Sequence, residues 1–221
     1  MKKQIVFLNI ILLMTMLYAS CRNSSNKKNA ILKDNNIAYS EIPDTDGNVY
    51  KTVTIGTQVW MAENLKTTKY NDSTSIPLVL DNKAWKALKT PAYCWYDNDE
   101  TANKNTYGAL YNWHTVKTGK LCPAGWHIPT LKECYILTNM GGARKLKEIG
   151  LTHWQSPNKR ATNETGFTAL PGGYRNRTFH NIGVSGYWWK STDLVAIEFY
   201  RYMFPYIHHG GVYYSNNKHC G

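Results

Sequence analysis

From Asp44 onward the chain meets a turn signal at short intervals. Asp46-Gly47, Gly56-Thr57, Gly119, Gly141-Gly142, Gly172-Gly173, Gly183, Gly186 and Gly210-Gly211 separate runs that are apolar or aromatic. Glycine supplies backbone angles that other residues resist, and Asp and Asn support tight turns, so the elements between these points stay short. Val49 to Ile55 alternates apolar and polar residues, the period of a half-buried strand, and Gln58 to Leu65 continues as a second, more apolar run. Two helices are expected. One runs from about Gly108 to Lys117, with Leu110, Trp113 and His114 on one face, and ends near Gly119. The other starts at Pro129-Thr130, where Thr130 and Glu133 have capping-box spacing, presents Leu131, Cys134, Tyr135 and Thr138 to the interior, and stops at Gly141-Gly142. The class is α+β: two helices beside a small, loop-rich antiparallel sheet.

Composition narrows the setting. The chain is 43% hydrophobic, 13% aromatic and 19% charged, which excludes a disordered or collagen-like polymer. Its one long apolar run, Ile5 to Leu17, excludes a polytopic membrane protein. That run follows Met1-Lys2-Lys3 and precedes Tyr18-Ala19-Ser20-Cys21, the pattern of an export signal, and it is too short for a comfortable membrane span. Small residues before Cys21 resemble a bacterial lipobox, although Tyr18 stands where Leu is commonest. The expected organisation is a signal peptide over 1–20, a lipidated Cys21 with a polar tether over 21–43, and one domain over 44–221. A plainly cleaved secreted protein and a buried N-terminal helix are the alternatives. The net charge of +11 is misleading as a clue to polyanions. Lys2, Lys3, Arg22, Lys27, Lys28 and Lys33 carry more than half of it within a segment that has no acid, so nucleic acid is not an expected partner.

Several phrases occur together and in order: Asp44-Thr-Asp-Gly-Asn-Val-Tyr, Trp60-Met-Ala-Glu-Asn-Leu-Lys, Tyr93-Cys-Trp-Tyr-Asp-Asn-Asp, Tyr107-Gly-Ala-Leu-Tyr-Asn-Trp, Leu121-Cys-Pro-Ala-Gly-Trp-His-Ile-Pro-Thr, Asn163-Glu-Thr-Gly-Phe-Thr-Ala-Leu-Pro-Gly-Gly-Tyr-Arg and Gly186-Tyr-Trp-Trp. This set resembles the Fibrobacter succinogenes major paralogous domain, carried by exported proteins and lipoproteins of Bacteroidetes and Fibrobacteres. The start of the second helix and the late aromatic strands also resemble the C-type-lectin-like fold. The resemblance implies an envelope lipoprotein, facing the periplasm or the cell surface, and no established activity. It also implies a last strand after Asn217-Lys-His-Cys-Gly, and the expectation is a copy without that strand, either truncated or a diverged paralogue. A lectin-like fold would tie Cys122 to a terminal cysteine; Cys220 could substitute, while free or differently paired thiols at Cys94 and Cys134 stay open.

No HExxH, Walker, GxSxG or GxGxxG motif is present, and no cysteine spacing suits zinc, so the expectation is a non-catalytic protein with no cofactor or metal. The acids of Asp97-Asn-Asp-Glu100 suit calcium in type but lack EF-hand spacing, and a solvated turn is the plainer reading. Aromatics are the better lead. Eight Trp and sixteen Tyr outnumber five Phe, favouring rings with a polar handle. Tyr174, Arg175, Tyr187, Trp188, Trp189, Arg201 and Tyr202 crowd into the late Gly-rich segment and form the expected ligand-contacting set. The ligand would be a glycan or an envelope protein. The competing readings are that these rings simply fill the core, that the chain is a structural envelope-assembly protein without soluble ligand, or that it is an oxidase resembling the formylglycine-generating group, whose cysteine motifs Cys94 and Cys122 do not match.

Overall fold

The alternation in Val49–Ile55 produces a strand over those residues in a computed structural model, which describes the backbone of residues 32–34, 37–191, 197–200 and 205–206 and the side chains of 37–140 and 142–191. A meander of four antiparallel strands forms around it: β1 (Leu32–Asp34), β2 (Ile37–Pro43), β3 (Val49–Ile55) and β4 (Gln58–Met61). Tyr50, Val53 and Ile55 point inward from β3, while Lys51 and Thr54 face water. The turn between β2 and β3 is built on one side chain. Asp44 accepts from the backbone N–H groups of Asp46 and Asn48, both at 2.9 Å, and from the Tyr50 hydroxyl at 2.5 Å. Asp46 accepts in turn from the Thr68 N–H and hydroxyl and pairs with Lys69 at 3.2 Å, fastening this turn to the next loop.

Two expectations change here. The folded part begins before Asp44, because β2 pairs with β3 from Tyr39↔Val53 to Pro43↔Val49 and Tyr39 is buried. The polar look of residues 37–43 is that of a strand with one face exposed, not of a tether. Within the second expected strand, β4 ends at Met61; the Ala62 N–H still donates to the Lys51 carbonyl at 2.8 Å, and Glu63 to Leu65 leave the sheet. The segment expected to be a signal peptide and Cys21 lie outside the described residues.

The middle of the chain is a series of capped short elements. Helix α1 (Asn82–Ala87) is capped by Asp81 and buries Trp85. Strand β5 (Tyr93–Cys94) leads through a tight 3-10 turn to α2 (Glu100–Tyr107), which Asp99 caps by accepting from the Ala102 N–H. The acid run is therefore a helix start: Asp99 is its cap and Glu100 pairs with Lys104 one turn on, at 2.7 Å. The helix expected over Gly108 to Lys117 is divided. Gly108 ends α2 with φ 72°, Leu110–Tyr111 is strand β6 paired with β5, and only α3 (Trp113–Val116) is helical, capped by Asn112. Sheet pairing overrides a weak helical period over so few residues. The second helix forms where the capping box puts it. In α4 (Leu131–Leu146) the Glu133 N–H donates to the Thr130 hydroxyl and the Glu133 carboxylate accepts from the Thr130 N–H. Gly142, at φ 60° and ψ 157°, breaks the helix without ending it.

The last third forms β7 (Gly172–Arg175), β8 (Phe179–Ile182), β9 (Ser185–Trp188), β10 (Ile197–Tyr200) and β11 (Pro205–Tyr206), in the spatial order β11-β10-β9-β7-β8. The pairs are antiparallel except β7 with β9, which meet in parallel at Gly173 and Gly186. The architecture is α+β, with mixed helices and small, largely antiparallel sheets. Three apolar clusters hold it together. The first packs Cys134, Leu137 and Leu146 of α4 against Tyr39, Val53 and Ile55 of the meander. The second gathers Tyr93, Trp95, Tyr111 and Trp189; the third gathers Trp85, Cys94, Tyr96 and Leu110. Among the described residues no helix is long and apolar enough to cross a membrane.

Candidate functional site

A cleft of about 860 Å³ opens between the end of β4, the end of α2, the loop before α4 and the segment that leads into β7. Its ring-bearing wall consists of Trp60, Tyr107, Trp126, Tyr187 and Trp188, each partly exposed. Trp60 and Trp188 meet Phe167 edge-on, with centroids at 6.1 and 6.3 Å, so both rings are fixed from behind. Asn64 joins two sides of the cleft: its Nδ2 donates to the Tyr107 carbonyl at 2.9 Å, and its Oδ1 accepts from the Trp188 indole at 3.0 Å. Polar groups around the rim include His127, whose Nε2 lies 3.0 Å from both Glu133 oxygens. Burial pushes the Glu133 carboxyl up, but bonds from Thr130 and His127 outweigh it and hold the group below the usual range.

The expected ligand-contacting residues divide between two faces. Tyr174, Tyr187 and Trp188 stay together at the surface side: Tyr174 meets Tyr187 edge-on at 4.9 Å and stacks on His180 at 5.2 Å, and Asn181 donates to the Tyr187 hydroxyl. Of these, Tyr187 and Trp188 line the cleft. Arg175 does not. It is 0% exposed, directed inward because neighbours on a strand face opposite sides, and its guanidinium donates to the carbonyls of Val79 and Leu80 and to Asn82 and Asn98. The rings of Trp85 and Phe179 lie 4.5 and 4.6 Å from the guanidinium carbon. Trp189 is 5% exposed, packs beside Trp113, and donates its indole N–H to the Tyr111 carbonyl, although one edge reaches the cleft. Arg201, Tyr202 and Cys220 lie outside the described residues.

Trp60, Tyr107 and Trp126 line the cleft and are not among the expected ligand-contacting residues. Trp60 and Trp126 sit in apolar runs and read as core, and Tyr107 reads as part of a phrase, not of a surface. Their signal is a polar side chain within a few residues: Glu63-Asn64 after Trp60 and His127 after Trp126. The thiols are shielded. Burial pushes Cys94 up to about 11, Cys122 to about 12 and Cys134 to about 11, and among the described residues none of the three is bonded to another cysteine. A reactive cysteine needs the opposite shift.

The order of these features along the chain is the one that a known family has. The model of the Fibrobacter succinogenes major domain matches residues 53–210, more than half of the 221-residue chain. The chain belongs to this family. The match runs from within β3 through β11 and includes the five partly exposed rings of the cleft, while Tyr39 and Lys51 of its lining precede the matched range. No curated protein and no solved structure matches the chain.

Proposed function

We propose that this Fibrobacter succinogenes major domain is a non-catalytic, lipid-anchored envelope protein that binds a glycan in the aromatic cleft. One observation carries the reading. Five partly exposed Trp and Tyr rings surround an open cleft of about 860 Å³, and Asn64, His127 and Glu133 stand among them. Flat rings cover the apolar faces of sugar rings, and fixed amide and carboxylate groups discriminate hydroxyls; a cleft of a few hundred cubic ångströms or more suits a small molecule or chain segment. Support for a binding role over thiol chemistry comes from the raised Cys94, Cys122 and Cys134. The lectin-like fold and the anchor at Cys21 belong to the same proposal.

The test uses a glycan array probed with the full chain and with Trp126→Ala and Tyr187→Ala. Wild type is expected to bind at least one glycan class, and each variant to lose about tenfold or more, the scale of one aromatic contact. An array on which wild type binds nothing would remove the glycan reading. The anchor has its own test: palmitate labelling that persists in Cys21→Ala sinks it.

A further inference from the structure

The cleft contains an acid whose bonding is incomplete. Glu148 lies just beyond α4, with its side chain 17% exposed, and its Oε1 is 2.7 Å from His153 Nδ1. An ionised carboxylate only accepts, so the imidazole Nδ1–H donates, and in the neutral ring Nε2 is then the acceptor. Glu148 Oε2 is buried and has no hydrogen-bond partner among the described residues. Buried polar atoms are ordinarily satisfied, so an orphaned carboxylate oxygen in a cleft points to a donor supplied from outside.

The surroundings make this a held site. The Glu148 N–H donates to the Ala169 carbonyl, and Asn158 Nδ2 donates to the carbonyls of Glu148 and Gly150. His153 is held edge-on against Tyr107, with centroids 5.8 Å apart and planes at 82°. Burial first and the Glu148 charge second push the Tyr107 phenol up, which keeps that ring neutral beside the acid. Glu148, His153 and Tyr107 all line the cleft. Fixed side chains on a fixed backbone are what a discriminating polar contact requires.

We propose that Glu148 and His153 form the hydroxyl-recognising subsite of the cleft, accepting from two hydroxyls on neighbouring carbons of one sugar ring whose apolar face lies on Tyr107. This inference rests on the glycan reading above and names its specificity. A neutral sugar suits the lining better than a polycation, because Lys51 and Lys66 stand in the same cleft as Glu63, Glu133 and Glu148.

The experiment measures, by calorimetry, the affinity of the full chain for the best array glycan, with Trp126→Ala, Glu148→Gln and His153→Gln in parallel. Glu148→Gln and His153→Gln are each expected to lose about tenfold or more in affinity, the scale of a lost hydrogen bond to a charged group, with melting temperatures close to wild type. Wild-type imidazole NMR signals of His153 should move when the glycan is added, a readout that needs no variant. If Trp126→Ala weakens binding while both dyad variants bind as wild type and the His153 signals stay still, the subsite is wrong and the glycan reading survives. If wild type binds no array glycan, the glycan reading itself fails and the subsite with it. Should Glu148→Gln not melt cooperatively, His153→Gln and the NMR shift decide.

Discussion

Arg175 illustrates how far a residue's neighbours outweigh its type. In sequence it stands beside Tyr174 in an aromatic, Gly-rich stretch, the company of an interface arginine; in the fold its planar fork holds two backbone carbonyls and two amide side chains between aromatic rings. Arg175→Ala should cost about 3 kcal/mol in urea unfolding, because buried carbonyls lose their donors. Arg175→Lys should recover only part of that, since an ammonium cannot reproduce the fork. Lys147 gives a pH signature. It is 1% exposed, its ammonium lies 4.3 Å from the Trp154 ring centroid, and burial pulls it down to about 8 from 10.5. Between those values the unfolded chain binds the extra proton, so this residue's effect on stability becomes more favourable as pH rises from about 8 to 10.5. The melting-temperature difference between wild type and Lys147→Met should therefore shift in favour of wild type across that window. A constant difference would show that Lys147 titrates normally.

At the scale of elements, caps were legible and pairings were not. Thr130 and Glu133 declare the start of α4 in four residues because a capping box is local chemistry. Thr130→Ala is expected to lower stability by about 1 kcal/mol in urea unfolding. Leu110-Tyr111 looked helical because the partner that makes it a strand, Tyr93-Cys94, is distant in sequence. Strand β7 depends on a position that no side chain can take. Gly173 has φ +67°, and a Cβ there would lie 2.3 Å from the His180 carbonyl oxygen and 2.8 Å from the Ile182 nitrogen. Gly173→Ala should separate β7 from β8 and abolish cooperative melting, where Gly119→Ala, also at positive φ but in open space, costs far less.

At the scale of the molecule, the meander and α4 share one core, and the cleft exists because distant segments meet over it. A chain beginning at Asp44 loses β1 and β2, exposes the edge of β3 and uncovers the contacts of Tyr39. It should melt at a lower temperature and aggregate more readily than a chain beginning at Leu32. The sequence by itself determined the α+β class, the β3 strand, the capped α4, the short Gly-bounded elements of the last third and the family, because each is written in local spacing or in ordered phrases. Tertiary structure alone decided which aromatics face the cleft. Alternation along β7 turned Arg175 inward, and packing buried Trp189, kept Tyr187 and Trp188 at the cleft, and brought Trp60, Tyr107, Trp126, Glu148 and His153 to it from segments that share no local pattern. Side-chain direction depends on which face of an element is covered, and that is settled only when the elements pack.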